Sequence, residues 1–74
     1  MLSLGRARES LPIFQLIVDK FPHRGDAEDS LARGHHVLGD TKEAIRHYRR
    51  ELTIDPSVES AKRHVEGMTR QAVN

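Results

Sequence analysis

The chain has 74 residues, a formal net charge of +1 and 31% charged residues. That length excludes more than one small domain, and the mixed charge excludes a polybasic nucleic-acid tail. With no cysteine, disulfides, thiol nucleophiles and thiolate metal sites are excluded as well.

A first helix is predicted over 7–21. Leu11, Phe14, Ile17, Val18 and Phe21 recur three, four and seven apart, the spacing of one buried helix face. Pro12 fits if the helix opens near Ala7, because the first amide groups of a helix have no intrahelical acceptor. Pro22 ends it, and His23, Arg24 and Gly25 form the turn. The second helix is predicted over 26–38, with Asp26 as N-cap and Asp29 in a loose capping box. Its apolar set is Ala27, Leu31, Ala32, Val37 and Leu38. Gly34 costs about 1 kcal/mol against Ala and points to close approach by another helix. Gly39 supplies a left-handed stop.

The third helix is predicted over 41–54, capped by Asp40 with Glu43 completing the box. Ala44, Ile45, Tyr48 and Leu52 form its buried stripe, and Asp55-Pro56 ends it. A fourth helix is predicted over 57–71, started by Asp55 or Ser57. Its apolar set is thin: Val58, Ala61, Val65 and Met68. Ala72, Val73 and Asn74 should fray.

The segments 4–22 and 38–56 repeat one another. Residue 4 lies over 38 and residue 22 over 56, an offset of 34. Leu4 matches Leu38, Gly5 Gly39, Glu9 Glu43, Leu11 Ile45, Phe14 Tyr48, and Pro22 Pro56. Such a period belongs to stacked helical hairpins, whose surfaces usually bind other proteins.

The stretch 26–56 resembles a tetratricopeptide repeat (TPR). Glu28, Leu31, Ala32, His35, Ala44, Tyr48 and Pro56 stand at its set positions. Leu31, Ala44, Tyr48 and Pro56 match well, and Ala32 is an acceptable small residue. Glu28 and His35 replace large or aromatic residues. Ser10, Phe14 and Pro22 match the second helix of a preceding repeat, whose own first helix would be confined to 1–4. The resemblance implies an all-α chain of four helices, antiparallel hairpins stacked as a short TPR-like solenoid. The single domain 1–74 would hold a partial repeat (7–21), a full repeat (26–55) and a capping or next-repeat helix (57–71). An unrelated four-helix bundle is the competing arrangement.

The resemblance also implies a peptide groove. Carried over by position, it comprises Asp26, Asp29, Arg33, His36, Val37, Ser60, Arg63, His64 and Gly67. Asp29 and His64 stand where the chaperone-tail binders carry a carboxylate clamp of Lys and Asn, so that activity is not expected. Arg33 and Arg63 favour an acidic peptide.

Nothing in the sequence carries catalysis. There is no GxSxG, no phosphate-cradling glycine loop and no HExxH, so no enzyme activity and no cofactor are expected. His35 and His36 are adjacent and point about 100° apart on a helix. His35 is expected between helices. Glu43, His47 and Glu51 recur every four residues on one face, read as a solvated stripe. No metal site is expected, since no two histidines have the helical spacing of a zinc pair. Arg46, His47, Arg49 and Arg50 form a basic run, beside Arg24 and Arg33. Glu43, Glu51 and Asp55 interleave with it, which disfavours nucleic acid as partner. No apolar run approaches the roughly 20 residues of a membrane span. The start lacks the apolar core of a secretory signal, so the expected location is cytoplasmic.

The two matched helices differ in chemistry. Ile13 stands where the third helix has His47, Leu16 where it has Arg50, and Ile17 where it has Glu51. The third helix reads as polar on its outer side, the first as apolar nearly all round. A helix apolar all round should be buried, and burying one Leu or Ile is worth about 1.5–3 kcal/mol. Ile13, Leu16, Ile17 and Lys20 are therefore the expected oligomer interface. The expected function is a non-catalytic protein–protein interaction module, self-associating as a homodimer. One alternative is a piece of a longer TPR-containing protein whose upstream part covers the first helix. Another is a small nucleic-acid binder using the Arg46 to Arg50 face.

Overall fold

The computed structural model describes residues 4–73. Among the described residues there are four helices and no strand: α1 (Leu4–Lys20), α2 (Gly25–Val37), α3 (Thr41–Ile54) and α4 (Glu59–Val73). The connections 21–24, 38–40 and 55–58 are short, so each helix folds back on the one before it. Contacts follow chain order: α1 on α2, α2 on α3, α3 on α4. Residues 1–3, expected to hold most of the remnant of an earlier helix, lie outside the described residues, as does Asn74. Leu4 opens α1, and Ala72 and Val73 are helical.

The helix ends correct several expectations. α1 opens at Leu4 rather than near Ala7, so Pro12 falls inside it. The proline has no N–H for the Arg8 carbonyl, at a cost of about 3 kcal/mol for an interior position. α1 stops at Lys20, and Phe21 is 56% exposed instead of joining the buried face. Asp26 is not the cap of α2. Arg24 takes the N-cap position without a side-chain capping bond, and its guanidinium meets the Asp26 carboxylate at 2.8 Å. Asp29 pairs with Arg33 at 3.0 Å instead of closing a capping box.

Gly39 closes α2 as expected, with a φ of +82° that L side chains rarely adopt. Asp40 does hold the N-cap position of α3, but its side chain makes no capping bond. Its carboxylate stands 3.7 Å from Nδ1 of His35. Glu43 likewise turns to Arg46 at 3.4 Å and His47 at 3.8 Å. Asp55 accepts hydrogen bonds from the Ser57 N–H at 3.0 Å and the Ser57 hydroxyl at 2.6 Å. That side-chain turn holds 55–58 out of the helix, so α4 starts at Glu59 rather than at 57.

The core is small and built largely from alanine. One cluster joins Ala32, Ala44, Tyr48, Ala61 and Met68, flanked by Ile45, Leu52, Val58 and Val65. The other joins Val18, Ala27 and Leu31, flanked by Leu11, Phe14 and Ile17. Buried alanines bring backbones close without adding much apolar area. Gly34 does the same between α1 and α2: a Cβ there would lie 2.8 Å from Leu11 Cδ2. The glycine thus marks a close helix approach, as its position suggested.

Candidate functional site

Three surfaces concentrate the functional chemistry. The first is the face of α1 that α2 does not cover. Ile13 is 60% and Leu16 55% exposed, with Lys20 exposed beside them. Ile17, expected on the same face, is instead half-buried against Val18, Ala27 and Leu31. The rim is polar: Gln15 donates to Asp19 across one helical turn at 3.1 Å.

The second surface lies between α2 and α4, with α3 as its floor. Asp26, Asp29, Arg33 and Ser60 line a cavity of about 410 Å³, with Glu51 and Asp55 beneath them. His36, Arg63, His64 and Gly67 line a second hollow of about 180 Å³. Eight of the nine expected groove residues therefore gather at these two hollows. Val37 lines neither. Tyr48 lies buried beside them, its ring near-parallel to that of exposed His64 at 4.7 Å. Burial pushes the Tyr48 phenol above its ordinary value; the Asp29 charge adds to this and Arg33 opposes it.

Glu51 is the unusual group of this cavity. It is only 6% exposed, and its Oε1 has no hydrogen-bond partner. Burial, then the charge and hydrogen bonding of Asp29, pushes its carboxyl up to about 7, against the pull of Arg33. Gly25 lies against it, and a Cβ there would meet Glu51 Cγ at an ordinary contact distance of 3.7 Å. One end of the groove is thus rich in carboxylates. Arg33, expected to attract an acidic peptide, is already held by Asp29.

The third surface is a polar cluster inside the α2–α3 interface. It overturns the expected solvated stripe of Glu43, His47 and Glu51. His47 is 2% exposed, Glu51 is buried and Glu43 is half-buried. His47 Nδ1 lies 2.7 Å from the buried Glu28 carboxylate, and Arg50 reaches the other Glu28 oxygen at 3.9 Å. His35 lies between the helices as expected, its ring parallel to that of His47 within 4° at 5.3 Å. The basic run of α3 is therefore broken. His47 points inward, and Arg46 and Arg50 lie within 4 Å of carboxylates on Glu43 and Glu28.

The repeat register explains why these surfaces differ. His47, Arg50 and Glu51 are the residues through which α3 meets α2, at Glu28 and Gly25. The matching α1 residues are Ile13, Leu16 and Ile17. By this register Ile13 and Leu16 match α3 residues that meet α2, and on α1 both are exposed.

No protein-family model matches the chain, and neither does any curated protein or solved structure. No helix among the described residues is long and apolar enough to cross a membrane.

Proposed function

We propose that the chain is a non-catalytic protein-interaction module, a short TPR-like stack that pairs with a second copy of itself through α1. One observation carries this: Ile13 is 60% exposed at the register where α3 buries His47, 2% exposed, against α2, and Leu16 beside it is 55% exposed where α3 has Arg50 reaching Glu28 of α2. Covering such side chains is worth about 1.5–3 kcal/mol each. A second copy suits the face because the face is self-complementary. Asp19 and Lys20 are exposed neighbours at its edge, and a two-fold axis passing between them would set each opposite its counter-charge. The sequential packing of α1 to α4, and the hollows where α2 and α4 flank α3, support the TPR-like arrangement.

The groove is the second contact surface in this proposal. Its carboxylate end (Asp26, Asp29, Glu51, Asp55) suits a lysine or arginine of an extended peptide. Its other end, with Arg63, His36 and His64, suits an acidic side chain.

Sedimentation equilibrium at micromolar concentration tests the pairing. The expected result is a dimer for the unaltered chain and a monomer of unchanged helical circular dichroism for Ile13→Glu with Leu16→Glu. Both side chains are exposed, so their replacement leaves the packing of one copy intact. A folded monomer of the unaltered chain would overturn the second copy as occupant and leave that face to another polypeptide.

A further inference from the structure

The polar cluster between α2 and α3 is not needed for pairing through α1, and its chemistry points elsewhere. Buried polar groups are costly unless fully partnered. Here two buried polar groups, Glu28 from α2 and His47 from α3, meet two half-buried ones, His35 from α2 and Glu43 from α3. His47 is the centre. Its Nδ1 donates to Glu28 Oε1 at 2.7 Å, with both side chains buried. A carboxylate on Nδ1 fixes the neutral tautomer and leaves the Nε2 lone pair free.

That lone pair faces Glu43 Oε2 at 3.8 Å, too far for a hydrogen bond. Glu43 and His47 are one helical turn apart, so both project from the same face of α3. His35 comes in from the last turn of α2, with Asp40 standing 3.7 Å from its Nδ1. His47 is thus held by a carboxylate on Nδ1, whereas Asp40 stands near His35 without a hydrogen bond. Ligand atoms of His35, Glu43 and His47 all lie within 4.8 Å of one another.

We infer that His35, Glu43 and His47 form a binding site for a divalent transition-metal ion of the zinc class, with Glu28 as the positioning residue behind His47. Two imidazoles and a carboxylate, without thiolate, suit such ions. Zinc–ligand bonds run about 2.0–2.2 Å, so the ligand atoms must draw in by roughly 1 Å or more. The mobile members supply that movement. His35 and Glu43 have side chains 20% and 37% exposed, whereas His47 is fixed. Parallel rings do not aim their lone pairs at one point, so His35 turns out of its stack on ligation. The ion also takes Glu43 from Arg46, which now holds it at 3.4 Å. Water completes the coordination. The ion would join the end of α2 to the start of α3 across the Gly39 turn, stabilising the folded chain.

Titration calorimetry of the full chain with Zn²⁺ tests this, with Mg²⁺ as control and Co²⁺ absorption as a report on coordination geometry. The expected result is one Zn²⁺ per chain, no response to Mg²⁺ and a rise in melting temperature. His35→Ala and Glu43→Gln should each abolish saturable binding while the helical spectrum is kept. Glu28→Gln should weaken binding by about tenfold or more. His23→Ala and Glu66→Gln, exposed and outside the cluster, should leave Zn²⁺ binding unchanged. Absence of one-to-one binding overturns the site, as does full affinity in either ligand variant or loss of binding in either control variant.

Discussion

α1 and α3 are two copies of one register, and they distribute polarity in opposite ways. At position 13 of α1 an isoleucine is 60% exposed; at the matching position 47 of α3 a histidine is 2% exposed. Residue type alone would put these the other way round. The difference lies in the neighbours. α3 is packed by α2 on one side and α4 on the other, whereas α1 packs against α2. Burial is set by which helices arrive at a face, and polarity then follows what those helices bring. α2 brings Glu28 to His47, so a polar pair is stable inside.

The largest expected effect tests that pair. Glu28→Ala leaves His47 buried without its acceptor, which costs about 3–5 kcal/mol by analogy with breaking one side of a buried ion pair. Replacing both partners, Glu28→Leu with His47→Ile, gives α3 the residue that α1 carries at this register. Most of the stability should then return, because apolar groups of similar volume do not need a partner. Urea denaturation of the single and double variants measures this. If the single change costs under about 1 kcal/mol, the pair is not buried as described and the contrast with Ile13 collapses.

A second test uses positions 17 and 51. Ile17 is half-buried, while Glu51 is buried with its carboxyl raised from an ordinary 4.5 to about 7. Between those values the folded chain keeps a proton that the unfolded chain has released. Stability is therefore highest below about 4.5 for this group, falls as pH rises towards 7, and is level beyond that. At about 1.4 kcal/mol per pH unit, the loss amounts to about 3 kcal/mol. Glu51→Gln should remove this part of the pH dependence and make the chain more stable at pH 8. An identical slope of stability between pH 5 and 7 in the variant would show that Glu51 is solvated.

How much of this the sequence disclosed follows from the kind of signal each feature leaves. The buried stripe of Ala27, Leu31, Ala44, Tyr48 and Ala61 was legible, because apolar spacing near 3.6 survives any choice of neighbour. Helix ends were less so. Asp26, Asp40 and Glu43 are good capping residues, but arginines and histidines compete for their carboxylates. The buried polar pair was misread, since Glu43, His47 and Glu51 show the same spacing whether wet or dry. A signal was present on the other helix. Glu28 and His35 stand three and four residues either side of Leu31, on the buried stripe of α2, and polar residues there require polar partners opposite. The groove residues came from the resemblance alone, since exposed polar side chains carry no periodic signature.

The smallest effect concerns how closely α1 approaches α2, which limits how much of α1 is covered. A Cβ on Gly34 would stand 2.8 Å from Leu11 Cδ2 and 3.9 Å from the Ala7 carbonyl. Two terms oppose each other in Gly34→Ala. Helix propensity favours alanine by about 1 kcal/mol, while overpacking a closed interface costs about 1–3 kcal/mol. Leu11 is half-buried, so its methyl can move, and the net change should be a loss of about 1 kcal/mol. Leu11→Ala removes the obstructing atoms. In that background Gly34→Ala should become stabilising, by up to the propensity term of about 1 kcal/mol. The resulting coupling of about 2 kcal/mol is within the range for residues in contact. A gain from Gly34→Ala in the unaltered chain, with no coupling to Leu11, would mean that α1 stands further from α2. Val18 and Ile17 would then lose cover too, and the contrast between the helices would extend along the whole of α1.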